Sequence, residues 1–375
     1  MRIIINEIKK IFNIKMILLM IVGVLILYKL YASFEIEYFP NGRPDGDTYR
    51  ITIEMLNKYG TSMDEDEFKD LKIWREEKEI EADKYLSSRE EFTSLNIDTY
   101  KKFQEKDHEE IHELSNKIFF KEGVDVFWEL QGMDSLIGLY EHKDSVIDKS
   151  QKKALENREL EIIEKESNES ILTNIIFDNY NNFIGGFALI ILFSIIFMLC
   201  LIFIKDRVNK VEYLQYTSFV GRGLFKKKII AGVISSLLLT TLFIAIAFKL
   251  YAGNNTSMFY NCNINGFYNH TFWYDLTFYQ YIVITVVLTY ILSVITALIT
   301  MYLSSMATSY IKVIAMIVPI GGSLVYLGYN SIITKGMFVY VSQFKTPIIY
   351  AVLIISTCIL IVKKLRRTKR VDILY

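Results

Sequence analysis

The sequence predicts an all-α polytopic membrane protein. Six transmembrane helices place both termini in the cytoplasm, and a mainly helical domain is inserted between the first two spans on the opposite side. Three observations lead there. Hydrophobic residues are 52% and charged residues 22% of the 375, yet the two classes are segregated along the chain rather than interleaved as in one globular core. Between Glu35 and Tyr180 stand 20 Lys and Arg against 37 Asp and Glu, a net of −17, whereas the remainder holds 22 basic and 5 acidic residues, a net of +17. Finally, several apolar runs approach the roughly 20 residues that a helix needs to cross a hydrocarbon core.

The elements follow in order. Residues 1–15 form an amphipathic helix in which Ile4, Ile5, Ile8, Ile11 and Phe12 share one face and Glu7, Lys9 and Lys10 lie elsewhere, as suits a helix along the inner leaflet. The first span is 16–34, with Lys29 able to snorkel at its outer end. It is retained as an anchor, because the bulky segment Tyr28–Phe34 offers no small-residue cleavage pattern. Residues 35–178 are the acidic domain. It opens on a Pro- and Gly-rich exit, Phe39–Gly46. Proline-free helical stretches follow at Met63–Phe92, Asp98–Lys121 and Lys143–Ser167. Helical spacing turns Leu71, Trp74 and Ile80, and likewise Leu155, Leu160 and Ile163, toward a core centred on Ile118–Tyr140.

Residues 179–362 supply five further spans: Asn179–Ile204, Ile229–Phe248, one ending near Leu303, Val313 to about Tyr329, and Pro347–Val362. Pro319 beside Gly321-Gly322 predicts a kink in the fifth. Aromatic residues of Phe259–Tyr281 suit a membrane-surface loop. Basic clusters before the first span, in loop 205–228, and in the tail 363–375 fall on one side after six crossings; the positive-inside rule makes that side cytoplasmic. The chain is thus expected in a cell membrane, by composition the plasma membrane of a bacterium, with 35–178 outside.

Two candidate sites arise. His108-Glu-Glu-Ile-His112 matches the zinc motif H-E-x-x-H, whose histidines share a helix face, with Glu109 in the base position. Its neighbours Glu105, Lys106, Asp107, Glu110 and Glu113 are charged, whereas a catalytic zinc helix is buried behind its metal; we assign His108 and His112 to a solvated helix face and expect no enzyme. The spans carry no ionisable residue suited to a proton relay or embedded hydrolase, and no Walker-type glycine loop is present. Any energy must come from a partner. The three cysteines Cys200, Cys262 and Cys358 suggest no disulfide framework.

The second candidate is loop 205–228, with a short helix expected around Val211–Tyr216, a break at Gly221 and Gly223, and a Lys-rich run leading into the third span. Taken with Asn6-Glu-Ile-Lys-Lys-Ile-Phe12, it resembles the permeases of type-2 ATP-binding-cassette (ABC) exporters. These open on an E-x-K-K-hydrophobic elbow helix and carry an acidic residue, small residues, an Arg and a Lys-led third helix, here Glu212, Thr217-Ser218, Arg222 and Lys226–Lys228. Gln215-Tyr216 stand where those permeases usually have glycine. The resemblance implies an exporter subunit that binds no cofactor itself, pairs with a second permease chain, identical or related, and docks cytoplasmic ATPase subunits that use ATP and Mg. Glu212, Tyr213, Leu214, Tyr216 and Arg222 would form the coupling element, Glu7, Lys9 and Lys10 would belong to the elbow helix, and 329–344 would be re-entrant. The cargo could be peptide, antimicrobial or lipid-like. The competing class is a non-transporting receptor or assembly subunit whose acidic domain binds a ligand.

Overall fold

The computed structural model describes residues 1–144, 153–211, 221–267 and 271–370. They are all-helical, without strands; two isolated β-bridges join Ser62 to Ser170 and Asn263 to Thr277. The longer helices are α1 (Arg2–Ile11), α2 (Ile14–Tyr31), α3 (Asp45–Tyr59), α4 (Glu65–Ser87), α5 (His108–Asn116), α6 (Asp125–Glu141), α7 (Lys153–Glu164), α8 (Asn174–Leu199), α9 (Leu224–Tyr251), α10 (Phe278–Met306), α11 (Tyr310–Leu327) and α12 (Lys345–Arg370). Six of these are long and apolar enough to cross a membrane: α2, α8, α9, α10, α11 and α12. The chain divides into two compact units. Unit 1 is Met1–Glu37, Tyr180–Asn255 and Gln280–Tyr375; unit 2 is Tyr38–Asn179 and Thr256–Tyr279.

Unit 2 is built around α6, whose sequence is apolar on most sides. Phe127, Leu130, Met133, Leu136 and Tyr140 are buried in two clusters, within the core expected from Ile118–Tyr140. Its neighbours α3 and α4 lie along it. α4 starts on a capping box, in which Asp64 accepts from the Asp66 and Glu67 amides and Glu67 accepts from the Asp64 amide. α3 comes close at Gly132, where a Cβ would stand 2.9 Å from Ile51 Cδ1.

Two expectations for this domain are corrected. Ile80, Leu160 and Ile163 are exposed; the inward positions on α7 are Ile162 and Arg158. The reason is a long-range partner, because the Arg158 guanidinium meets Asp275 from the segment after α9. That segment, Thr256–Tyr279, belongs to unit 2, and Phe259, Cys262, Phe267 and Phe272 are buried in it. The acidic domain is therefore assembled from two stretches of chain.

In unit 1, α8 and α10 form the centre. Ala188, Leu192, Leu292 and Ile295 pack with Ile332, Ile333 and Tyr350. Of α2 only Met20 is buried. α2 nonetheless comes close to α8 at Gly186, where a Cβ would overlap the Tyr31 carbonyl. The spans are displaced from the expected limits by a few residues at most ends, as fits caps decided by local hydrogen bonds. The largest shift is in α12, which continues helically to Arg370, so most of the basic tail is helix. α11 runs through Pro319 to Leu327. Beyond it, Thr334, Gly336, Met337 and Phe338 are buried, and the Tyr281 hydroxyl donates to the Thr334 carbonyl at 3.0 Å.

Candidate functional site

α1 lies along α9. The amphipathic pattern places apolar residues toward that contact, and Ile11 is indeed buried. Glu7, one turn earlier on the same face, is buried with it at 4% exposure, whereas Ile5 is exposed. This corrects the expectation that Glu7 lies away from the packed face. The reason is electrostatic, since a carboxylate can be buried when cations meet it there. Lys10 Nζ donates to Glu7 Oε1 at 2.7 Å and lies 3.6 Å from Asp206 Oδ2. Asp206 stands in the short helix Ile204–Val208 and pairs with Lys228 near the start of α9 at 2.5 Å. The Lys228 side chain is 4% exposed, donates to the Ile202 carbonyl at 3.2 Å and lies over the Phe203 ring.

Two anions and two cations therefore alternate as Glu7, Lys10, Asp206 and Lys228. Burial works against the Lys10 ammonium, but Glu7 and Asp206 outweigh it and raise its pKa above the usual lysine value. Adjacent groups finish the helix ends. Arg207 donates to the Ala307 carbonyl and, at 3.2 Å, to that of Ser305; Lys364 donates to the Ser305 carbonyl at 3.2 Å; and Ser304 Oγ accepts from the Phe203 amide at 3.3 Å. Cations at the last carbonyls of α10 satisfy groups that the helix leaves open. One cluster thus gathers α1, the end of α8, the start of α9, the end of α10 and α12.

The described residues stop at Val211 and resume at Gly221. Glu212, Tyr213, Leu214 and Tyr216 lie outside the described residues, and Arg222 falls in the short helical turn Gly221–Gly223. Lys9 is exposed on α1. Sequence reasoning missed Asp206 and Lys228 as partners, although a signal existed. Only five acidic residues stand outside 35–180, namely Glu7, Asp206, Glu212, Asp275 and Asp372. The three that are described all hold cations.

In unit 2, α5 carries His112 on its exposed side, 3.3 Å from the Asn116 amide, while Ile111 faces the core. Among the described residues no group of three or more His, Cys, Asp or Glu could share a metal ion. Glu129 is buried on α6 and receives Arg50 at 2.6 Å and Lys78 at 2.8 Å. Burial would raise its pKa, but hydrogen bonds from Lys78 and Arg50 prevail and hold the carboxyl below its usual range. Arg158, 5% exposed, donates to Asp275 at 2.6 Å and to the Phe272 carbonyl at 2.9 Å. Cys262 is buried, which pushes its thiol up to about 12 and leaves it a poor nucleophile. An open groove of about 400 Å³ has Glu54, Asp70, Trp74 and Glu77 among its walls.

The charged cluster can hold an amphipathic N-terminal helix against the helix that follows loop 205–228. Comparison with protein-family models, with curated proteins and with solved structures returns no match.

Proposed function

We propose that the chain is the membrane-spanning permease subunit of an ABC exporter, paired with a second permease chain and driven by separate ATPase subunits. The observation that carries this reading is the Glu7–Lys10–Asp206–Lys228 cluster, which ties the N-terminal helix to both ends of the loop containing 212–220. A loop docked on a moving ATPase must hand its displacement to the spans, and the buried Asp206–Lys228 pair, which joins the segment before the loop to the helix after it, resists separation because parting the two leaves a buried charge uncompensated.

The same reading sets the topology. With loop 205–228 facing the ATPase in the cytoplasm, the positive-inside rule puts both termini there and unit 2 outside, in a bacterial plasma membrane. The cargo is of peptide, antimicrobial or lipid-like chemistry, met first or last by an acidic domain.

The test is purification of the tagged chain from its native membranes in mild detergent, followed by ATPase assay. A stoichiometric ATP-binding-cassette subunit should co-purify and be lost on replacing Glu212 and Tyr213 together with Ala. A chain that emerges with no ATPase would sink the exporter reading and leave the acidic domain as a receptor.

A further inference from the structure

α3 and α4 both lie along α6 and are tied to one another at two levels. Near the turn between them, Lys58 pairs with Asp70, and the Tyr59 hydroxyl donates to Asp70 at 2.7 Å. About two turns further on, Arg50 of α3 and Lys78 of α4 both reach Glu129 of α6. These pairings make the two helices antiparallel. The groove of about 400 Å³ lies between the ties, and its volume suits a small ligand or a few side chains of a larger one. Glu54 and Asn57 of α3 form one wall there, and Ile73, Trp74 and Glu77 of α4 form the other.

The ties engage the nearby cations and leave two acids over. Lys58 is taken by Asp70, and Arg50 and Lys78 by Glu129. Glu54 has Arg50 at 4.0 Å, an exposed and loose pair, and Glu77 has no ion-pair or hydrogen-bond partner among the described residues. Trp74 packs against the cluster around Tyr140 and also lines the groove. Other rings of unit 2 are covered by its own cations: Lys143 over Tyr140 at 4.0 Å, Lys72 over Phe68 at 4.4 Å and Arg43 over Trp128 at 5.9 Å. No cation sits over Trp74 among the described residues, although indole is the strongest ring acceptor of this kind. Ile73 and Ile80 are each 55% exposed, and spacing of four and three residues sets them on one face of α4 with Glu77.

We propose that the α3–α4 groove is a docking site for a cationic peptide. An Arg or Lys side chain of the peptide lies against Trp74 with its charge met by Glu54 and Glu77, and adjoining apolar side chains cover Ile73 and Ile80. The net charge of −17 between Glu35 and Tyr180 draws such a peptide in from a distance. That field has no single address; an unoccupied indole beside uncompensated carboxylates supplies one. The site stands on unit 2 alone, and a role of the peptide as cargo rests on the permease reading.

The experiment titrates the full chain, in nanodiscs of zwitterionic lipid, into a fluorescein-labelled decapeptide of alternating Arg and Leu. Anisotropy reads binding, with empty nanodiscs as the blank. A control peptide carries citrulline for Arg, which keeps the shape and removes the charge; it should bind at least about tenfold more weakly. Glu77→Gln should lower affinity about fivefold and flatten its salt dependence. Trp74→Leu should lower affinity about tenfold without that flattening. Glu113→Gln, which removes an exposed carboxylate of α5 outside the groove, should leave affinity unchanged. Should Trp74→Leu fail to accumulate, Glu54→Gln combined with Glu77→Gln takes its place, with a loss of about twentyfold expected. Equal losses for Glu77→Gln and Glu113→Gln would reduce the effect to the diffuse field and overturn the site. Absence of saturable binding, or equal binding of the citrulline peptide, would overturn it as well. Each of these results is independent of whether an ATPase co-purifies.

Discussion

The two units bury polarity in opposite ways. Unit 2 buries whole charges and meets each with partners from remote segments: Glu129 with Arg50 and Lys78, Arg158 with Asp275. The interior of unit 1 buries hydroxyls, several of which are satisfied within their own helix, and confines its four linked charges to one cluster. The contrast follows from the alternatives open to each interior. A water-facing domain can draw on any of its many lysines and arginines, and a remote ion pair then fixes which segments meet. Among apolar spans charged partners are scarce, so many hydroxyls turn to a carbonyl one turn away, while a few, such as Tyr180 with Thr285 and Tyr281 with Thr334, reach a second segment. Unit 2 is therefore specified by its buried charges. In unit 1 the same service falls to the cluster at its end.

Three measurements would break or sharpen this contrast. The largest effect is expected at Glu129→Ala, which removes the buried carboxylate that joins Arg50 of α3 and Lys78 of α4 to α6 and should destabilise the chain by about 3 kcal/mol. Thermal unfolding followed by Trp fluorescence reads it, because Trp128 is adjacent. The sign with pH is also fixed. The Glu129 carboxyl is held below its ordinary range, so its contribution is fully present above that range and is lost as pH falls through the folded value. Stability should decline below about pH 4, and Glu129→Gln should flatten that decline. A decline of equal steepness in the variant would show that other carboxylates dominate.

A slightly smaller loss, about 2–3 kcal/mol, is expected for Asp206→Asn, which leaves Lys228 buried without its counter-ion. Hydrogen exchange should then speed up in α1 and the first turns of α9 while leaving unit 2 unchanged. Uniform acceleration throughout the chain would mean that the cluster is no separate element. The smallest effect belongs to His112→Ala, on an exposed face, where unfolding should shift by no more than about 0.5 kcal/mol. Zinc should not alter the melting temperature of either form. A zinc-dependent rise confined to the parent chain would revive the metal reading.

The spans were legible because uninterrupted apolar runs dominate a helix-length window, whatever surrounds them. The core at Ile118–Tyr140 was legible for a similar reason. The facing of α7 was not: periodicity favoured Leu160 and Ile163, and only Asp275, 117 residues after Arg158, decides that the arginine turns inward. Glu7 was misplaced in the same manner. Its helix has an apolar face by spacing, yet the position of Lys10 and Asp206 draws a carboxylate into that face. In both cases the informative residue was a rare acid far away in the sequence, Asp275 or Asp206. The loop residues Glu212 to Tyr216 rest on resemblance alone, since they lie outside the described residues.

Unit 2 closes with Thr256–Tyr279, whose Phe267 completes the cluster around Tyr140 and whose Asp275 neutralises Arg158. During synthesis the ribosome must therefore finish α8 and α9 before the acidic domain has all of its own core. At roughly 5–20 residues per second, the intervening Tyr180–Asn255 separates the two stretches by about 4–15 s. For that interval residues 38–179 exist as an incomplete domain, with Tyr140 lacking Phe267 beside it and Arg158 held by Glu161 but not yet by Asp275. A fragment cut at residue 179 would be held in that state permanently.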